Sequence, residues 1–274
     1  MIRAFDVVAV AGVATIQDRG RPGHMHQGVP PGGALVPELL ARANAAVGNA
    51  HGDAGIEVIG TLTLRACAAL RVSSDDGAAV HLDEGAAWTV ASRGARVAYA
   101  ASRGGFAAPV VLGGRGTLLA AALGGHEGRP LRKGDILAVD EGPAVMSACG
   151  PAPEWDASAP IRVVAGPDHE RFGATALAQL ATSEFRVSPK SDRIGVRLVG
   201  PAIDRVGDDS GVSAPMVRGA IQVPGSGEPI VLGPDHPTMG GYPVVATVVR
   251  ADLGRLMARP VGAPVRFAWA GPRR

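Results

Sequence analysis

Gly150-Pro151-Ala152-Pro153-Glu154-Trp155-Asp156-Ala157-Ser158-Ala159-Pro160 decides how the rest of the chain is read. Three prolines among small residues stiffen and expose a stretch that cannot continue a strand or a helix. It divides the 274 residues into two parts, in keeping with roughly 150 residues per domain. On its N-terminal side, Leu62–Leu64, Leu70–Ser73, Trp88–Ala91, Val97–Ala100 and Ile136–Val139 are short β-like runs bounded by Gly, Asp or Ser. On its C-terminal side, Ile161–Ala165, Arg193–Val199, Ala220–Val223, Ile230–Leu232, Val244–Val249 and Val265–Trp269 read the same way. Both parts end alike, with Arg129-Pro130 leading into Ile136–Val139 and Arg259-Pro260 into Arg266–Trp269. Many short strands at this spacing predict barrels or sandwiches. The expected fold is mainly β with a few helices, in modules of residues 1–152 and 158–274.

Three helices interrupt the strands. Pro37–Val47 puts Leu39, Leu40, Ala43 and Val47 on one stripe, with Pro37 suited to the first turn and Gly48 to the stop. Asp168 is expected to cap a helix reaching Thr182, and Asp252 a short one ended by Pro260.

Composition narrows the function. The 39 glycines and 22 prolines make 61 of 274 residues, so turns abound, while 46% hydrophobic residues suffice for packed cores. A net charge of +2, with both signs intermixed, argues against nucleic-acid binding. No run of 18 uncharged apolar residues marks a membrane span. Arg3 and Val7–Ala11 imitate a secretion signal, but Asp6 precedes the run and no convincing cleavage site follows it, so Phe5–Ile16 reads as strand and turn. Two cysteines, Cys67 and Cys149, make no disulfide framework, so the cytoplasm is expected. Lys133 and Lys190 are the only lysines beside 25 arginines, and neither has the methionine-flanked setting of a biotin carrier. Arginine must therefore do most anion binding. No GxxxxGK[ST] loop or GxSxG elbow is present.

The densest polar stretch is Thr15–Pro30, with Asp18, Arg21, His24 and His26 among glycines. Arg21 is suited to clamp a carboxylate or phosphate, and His26 to move a proton near neutral pH. Alternatively, Asp18 and Arg21 pair with each other in a polar turn. On a strand, His24 and His26 would share a face, but no third ligand has a recognisable spacing, so no metal is expected. Asn44 is unusual inside a helix and, with Asn49, orients either a loop or a ligand. Glu127 and Arg129 form either a structural pair or a substrate clamp. Asp192 and Arg193 bind a ligand or staple a strand entry. Asp235, His236, Thr238 and Tyr242 surround the Gly240-Gly241 pair, with Gln222 as a further polar candidate. A hairpin turn requires the glycines but not that set of side chains.

These blocks, in order, resemble one family. They are Ile16-Gln17-Asp18-x-Gly20-Arg21-x-Gly23, Gly28-Val29-Pro30, Ala43-Asn44, Val47-Gly48-Asn49, Ile56-Glu57, Glu127-Gly128-Arg129, Gly134-Asp135, Ser191-Asp192-Arg193, Ile221-Gln222-Val223-Pro224 and Gly240-Gly241-Tyr242-Pro243. The chain resembles the biotin-dependent carboxyltransferase-domain family, also called the allophanate hydrolase subunit 2 family, from about Val7 to Phe267. Its bacterial members include the C component of 5-oxoprolinase, to which the likeness is greatest, and the antagonist of a sporulation-kinase inhibitor.

The resemblance implies two cyclophilin-like β-barrel modules. It implies a B-type partner subunit, an A-type subunit as a further component, and ATP-dependent opening of the lactam 5-oxoproline to glutamate. ATP with Mg would belong to the complex, and this chain carries no biotin. The alternatives are a non-catalytic regulator of a B-type subunit and a urea carboxylase-like carboxyltransferase domain. In the enzyme reading, residue chemistry assigns Arg21 and Arg193 as anion clamps, Asp18 and Asp235 as orienting or basic groups, and His26 or His236 as proton carrier. Gln222, Thr238 and Tyr242 would shape a pocket for a small amide or lactam.

The chain departs from the family pattern at polar turns. Gly32-Gly33-Ala34-Leu35-Val36 replaces Ser-Gly-Ala-Met-Asp, and the lost cap is expected to cost about 1 kcal/mol. His24 replaces a Tyr. Gly114-Arg115-Gly116-Thr117-Leu118 replaces Ser-Arg-Ser-Thr-Tyr, and Asp235-His236-Pro237-Thr238-Met239 replaces Asp-Arg-Gln-Thr-Thr. These changes predict a divergent substrate or a partly degenerate site.

Overall fold

The structure, a computed structural model, describes residues 1–140, 153, 155–206 and 212–271. Cys149 and much of the proline-rich joint lie outside the described residues. The chain forms two compact units, Met1–Pro22 with Pro31–Glu154, and Gly23–Pro30 with Trp155–Arg274.

The first unit holds β1 (Ile2–Gln17), β2 (Gly55–Ala66), β3 (Leu70–Ser74), β4 (Ala79–Leu82), β5 (Ala87–Ala91), β6 (Ala98–Ser102) and β7 (Ile136–Val139). They form one sheet in the order β4-β3-β6-β2-β1-β7, with β5 also on β2. The stretch read as strand and turn is a single 16-residue strand. β1 and β2 pair antiparallel from Phe5↔Ala66 to Gln17↔Gly55. Midway, Gly12 faces Gly60, each at φ +107°. A Cβ on Gly12 would lie 2.2 Å from the Ile59 carbonyl oxygen, and one on Gly60 2.1 Å from that of Ala11. Only glycine permits this backbone approach. The sheet encloses Phe5, Ile16, Ile56, Leu62, Leu64, Phe106 and Leu137, with the Phe5 ring 5.8 Å from Phe106 and 6.2 Å from Trp88.

Helix α1 (Pro37–Ala46) begins with Pro37 and is followed by Gly48 at φ +79°, as its sequence signals predict. Val36 stands at the cap position and supplies no side-chain hydrogen bond. The two N–H groups that lead into the helix are held by side chains from β2 and β6. The Glu57 carboxylate accepts the Leu35 N–H (2.6 Å), and the Tyr99 hydroxyl accepts the Val36 N–H (2.8 Å) while donating to Glu57 (2.7 Å).

The second unit holds β8 (Ile161–Ala165), β9 (Phe185–Val187), β10 (Gly195–Val199), β11 (Ala214–Pro215), β12 (Ala220–Gln222), β13 (Ile230–Leu232), β14 (Met239–Gly240), β15 (Val244–Val248), β16 (Pro264–Val265) and β17 (Phe267–Trp269). Eight of them order as β16-β9-β10-β13-β12-β15-β8-β17, and β11 pairs with β14 as a separate ribbon. The two edge strands, β16 and β17, are separated only by Arg266. The chain thus steps from one edge of the sheet to the other in a single residue, and the barrel is nearly closed. Each unit's last strand pairs with its first, but β7 runs antiparallel to β1 whereas β17 runs parallel to β8. The similar endings seen in sequence therefore differ in strand sense.

Two expected caps do other work. Helix α2 (Ala174–Thr182) starts after Gly173, and Asp168 lies before a separate short turn, where its carboxylate accepts the Val244 N–H at 2.9 Å. Helix α3 (Arg250–Met257) contains Asp252 in its first turn. That carboxylate accepts Arg162 Nε and Nη2 at 3.0 and 2.9 Å. Four carbonyls of the described part of the joint accept hydrogen bonds from helix α3 and from Arg259 beyond its end. Arg255 donates to the carbonyls of Asp156, Ala159 and Pro160, and Arg259 to those of Ala157 and Ala159. Among the described residues no helix is long and apolar enough to cross a membrane.

Candidate functional site

In the first unit the polar residues gather where β1 ends. Asp18 is nearly buried and accepts three backbone N–H groups, from Gly20 (2.8 Å), Arg115 (2.6 Å) and Gly116 (3.1 Å). Gln17, fully buried, donates to Thr15 Oγ1 and to the Thr117 carbonyl. Arg21 is 1% exposed. Its Nε donates to the Val111 carbonyl at 3.3 Å and its Nη2 to that of Gly116. Asp18 and Arg21 therefore fasten the same 111–116 loop separately and do not form the polar-turn pair considered from sequence. Asp18 acts here as an orienting group, and the Arg21 guanidinium is turned into the protein.

This packing bears on one departure from the family pattern. A Cβ on Gly116 would meet Gln17 Oε1 at 2.8 Å and Asp18 Oδ1 at 2.9 Å, and one on Gly114 would meet the Gly20 carbonyl at 2.7 Å. At both positions a Cβ would force its neighbours to shift in this chain.

Asn44 and Asn49 are buried and tie a loop. Asn44 Nδ2 donates to the carbonyls of Asp53 and His51, and Asn49 Nδ2 to Asn44 Oδ1 and the Ser102 carbonyl. Asn49 Oδ1 accepts the Gly104 N–H. The amide hydrogens of both are engaged within the fold. Arg129 makes a two-point pair with Asp135 (2.8 and 2.9 Å) and also holds Glu127. Burial raises the Asp135 carboxyl, but Arg129, the Arg132 N–H and His126 outweigh it and bring it down to about 2. The same carboxylate pushes the Arg129 pKa up. The Glu127–Arg129 alternative is thus a structural pair, completed by Asp135.

His24 and His26 flank Met25 in a 3-10 turn, Met25–Gln27, instead of lying on a strand. His24 Nδ1 contacts Gln27 Oε1 at 2.9 Å, and His26 is exposed. The face-sharing arrangement that would make them two metal ligands does not form. Among the described residues no three His, Cys, Asp or Glu side chains converge.

The second unit brings its candidates together around residues 233–243. Arg193 Nε and Nη2 donate to Asp235 Oδ2 and Oδ1 at 2.7 and 2.9 Å. Both side chains are nearly buried. The Asp235 N–H donates to the Arg193 carbonyl at 3.1 Å, so main chain and side chains lock the same two turns. Asp192 Oδ1 accepts the N–H groups of Ile194 and Gly195, which staples the entry to β10. Gln222 Nε2 donates to the Tyr242 carbonyl at 3.2 Å and approaches Met216 Sδ. The Thr238 carbonyl accepts the Met216 N–H. Tyr242 itself is 51% exposed.

His236 is 1% exposed, with Nδ1 2.8 Å from the Pro237 carbonyl. A carbonyl only accepts, so Nδ1 carries the proton and Nε2 holds the lone pair. Burial pushes the imidazole pKa down, and Arg218 adds to this against the Pro237 carbonyl and Asp235. A neutral imidazole of this tautomer keeps a base nitrogen, Nε2. Sequence reasoning missed Glu57 and Tyr99 as organisers. The signal was an acid inside the apolar run Ile56-Glu57-Val58-Ile59.

The carboxyltransferase domain, subdomains A and B, matches residues 27–269. The chain belongs to this family. It is 32% identical over 269 residues to the C component of the 5-oxoprolinase of Escherichia coli K12, covering 92% of this chain and 87% of the relative. It is 31% identical to the C component of the 5-oxoprolinase of Haemophilus influenzae, covering 96% and 90%. The urea amidolyase of Lachancea kluyveri is 28% identical over 96% of this carboxyltransferase-family chain, which spans only 17% of that protein. Among solved structures, the urea carboxylase of Kluyveromyces lactis superposes with a TM-score of 0.89 at 25% identity, over 99% of this chain and 28% of that one. The urea amidolyase of K. lactis gives the same TM-score at 24% identity, and the chain spans 19% of it.

Proposed function

We propose that the chain is the C component of an ATP-dependent 5-oxoprolinase-like complex of the cytoplasm. It would act with a separate B-type subunit, and an A-type subunit as a further component, to open 5-oxoproline to glutamate. The observation that carries this reading is identity, 32% and 31% to two 5-oxoprolinase C components against 28% to the urea amidolyase. The chain spans 87% and 90% of two 5-oxoprolinase C components but under a fifth of the fungal urea amidolyase named above.

Within the complex, His236 would carry the proton, with Gln222, Thr238 and Tyr242 lining the lactam site. Arg21 and Arg193, the expected phosphate clamps, direct their guanidinium groups to protein partners. This donor set does not fit a triphosphate, so the reading puts ATP with its Mg on a partner subunit. The same engaged arginines favour a second reading, a non-catalytic regulator of a B-type subunit. Co-expression with a B-type subunit encoded beside this chain, with a tag on one of the two, tests the shared premise. Co-elution as a stoichiometric complex supports both readings, and consistent separation of the two chains sinks both. ATP turnover then divides them.

A further inference from the structure

The wall of the first sheet opens where β2 changes neighbour. β6 pairs with β2 over Ile56–Val58 and β5 over Thr61–Arg65, while residues 92–97 between them lie off the sheet. Among the described strands β5 pairs only with β2, and β4 only with β3. Between the edge of β5 and the β3–β4 turn lies a cavity of about 400 Å³. That volume falls within the roughly 300–1,000 Å³ of small-molecule sites. The cavity shares no lining residue with the clusters around Asp18 or His236.

Its lining is chemically mixed. Asp75 and Asp76 bring carboxylates, Ser92 a hydroxyl, Arg93 a guanidinium and Trp88 an indole. Asp75 is held in place by the Tyr99 N–H, 2.9 Å from Oδ1. Burial raises its pKa, so its charged form would gain from a cation placed beside it. Trp88 is half-buried and steadied by Phe5. An indole beside carboxylates attracts an ammonium group. Arg93 is exposed and carries the opposite charge in the same opening. A guanidinium there is suited to a carboxylate.

We propose that this opening binds a small zwitterion of the amino-acid class. Its ammonium lies toward Asp75 and Asp76 beside Trp88, and its carboxylate toward Arg93. The complementarity rests on two acids, one base and one aromatic ring in a space that admits a single small molecule.

The full chain carrying Trp155→Phe and Trp269→Phe leaves Trp88 as the single fluorescent reporter, and calorimetry on the unmodified chain gives a readout independent of it. The probes are L-glutamate and L-alanine, with glutarate and ethylamine each lacking one charge. We expect saturable binding of at least one amino acid at or below about 10 mM, a Kd range in which small polar ligands bind weakly but specifically. Glutarate and ethylamine should bind at least tenfold more weakly. Asp75→Asn and Arg93→Gln, checked for folding by circular dichroism, should each weaken binding about tenfold or more. If Asp75→Asn misfolds, Asp76→Asn takes its place. No saturable binding by calorimetry to either amino acid overturns the proposal. So does equal binding of ethylamine, or binding that persists unchanged in the folded variants.

Discussion

Arg193 and Asp235, 42 residues apart, form a nearly buried two-point ion pair with Nε–Oδ2 and Nη2–Oδ1 distances of 2.7 and 2.9 Å. The pair joins the entry of β10 to the loop that carries His236, Thr238 and Tyr242. Deleting one partner breaks a nearly buried two-point pair, at a cost of about 3–5 kcal/mol. Arg193→Ala and Asp235→Ala should each lower the stability measured by urea unfolding by that amount. The double Arg193→Leu/Asp235→Leu variant should lose much less than the sum. A single variant losing under about 1 kcal/mol would remove the pair from the framework of the site.

Asp18 offers a sharper separation of role. Its two oxygens receive three backbone N–H groups. Asp18→Asn replaces one acceptor by a donor that faces an N–H, which costs about 1–3 kcal/mol. We expect that loss in thermal unfolding of the chain alone, without any partner. A variant as stable as the parent would return Asp18 to the acids available for chemistry.

Acid should weaken the first unit through Asp135. Its carboxyl sits at about 2 in the folded chain, below the ordinary value of 3.8. A depressed carboxyl contributes stability that is complete above the unfolded value and is lost as pH falls from about 5 towards 2. The contribution is at most about 2 kcal/mol, less after solvent screening. Urea unfolding between pH 6 and pH 3 should therefore be steeper in pH for the parent than for Asp135→Asn. Identical slopes would contradict the assignment.

At the crossing of β1 and β2, Gly12 and Gly60 leave no room for a methyl group. Gly12→Ala and Gly60→Ala should each cost more than about 1 kcal/mol, because the positive φ and the opposing carbonyl both penalise alanine. Gly23→Ala is the control. It has a positive φ but nothing within 4 Å of its Cβ, so its loss should be smaller. Equal losses at Gly12 and Gly23 would mean that strain alone, not contact, sets the cost.

The sequence disclosed most of the framework and less of the site, for one physical reason. Strand runs, the Pro37 start and the Gly48 stop are local signals, and they held. β4 and β9 escaped because Ala79–Leu82 is mostly exposed and Phe185–Val187, although it alternates, has only three residues. Asp168 and Asp252 looked like caps because each stands near a helix start. Their actual partners, Val244 and Arg162, are 76 and 90 residues away. Arg21 and Arg193 were recognisable as important, but not as engaged, since Gly116 and Asp235 are distant in the chain. No local signal showed how little room Gly116 has beside Gln17 and Asp18.

The proposed partners and reaction meet in one assay. It is 5-oxoproline-dependent ATP hydrolysis, with glutamate followed as product, by the complex of this chain with its B-type and A-type subunits. We expect turnover that requires 5-oxoproline and this chain together. His236→Ala should lower kcat by about 10²–10⁴-fold, the usual share of a proton-transfer group, while the complex still assembles. A complex that assembles fully and never hydrolyses ATP with 5-oxoproline would contradict the enzyme reading and leave the regulatory one.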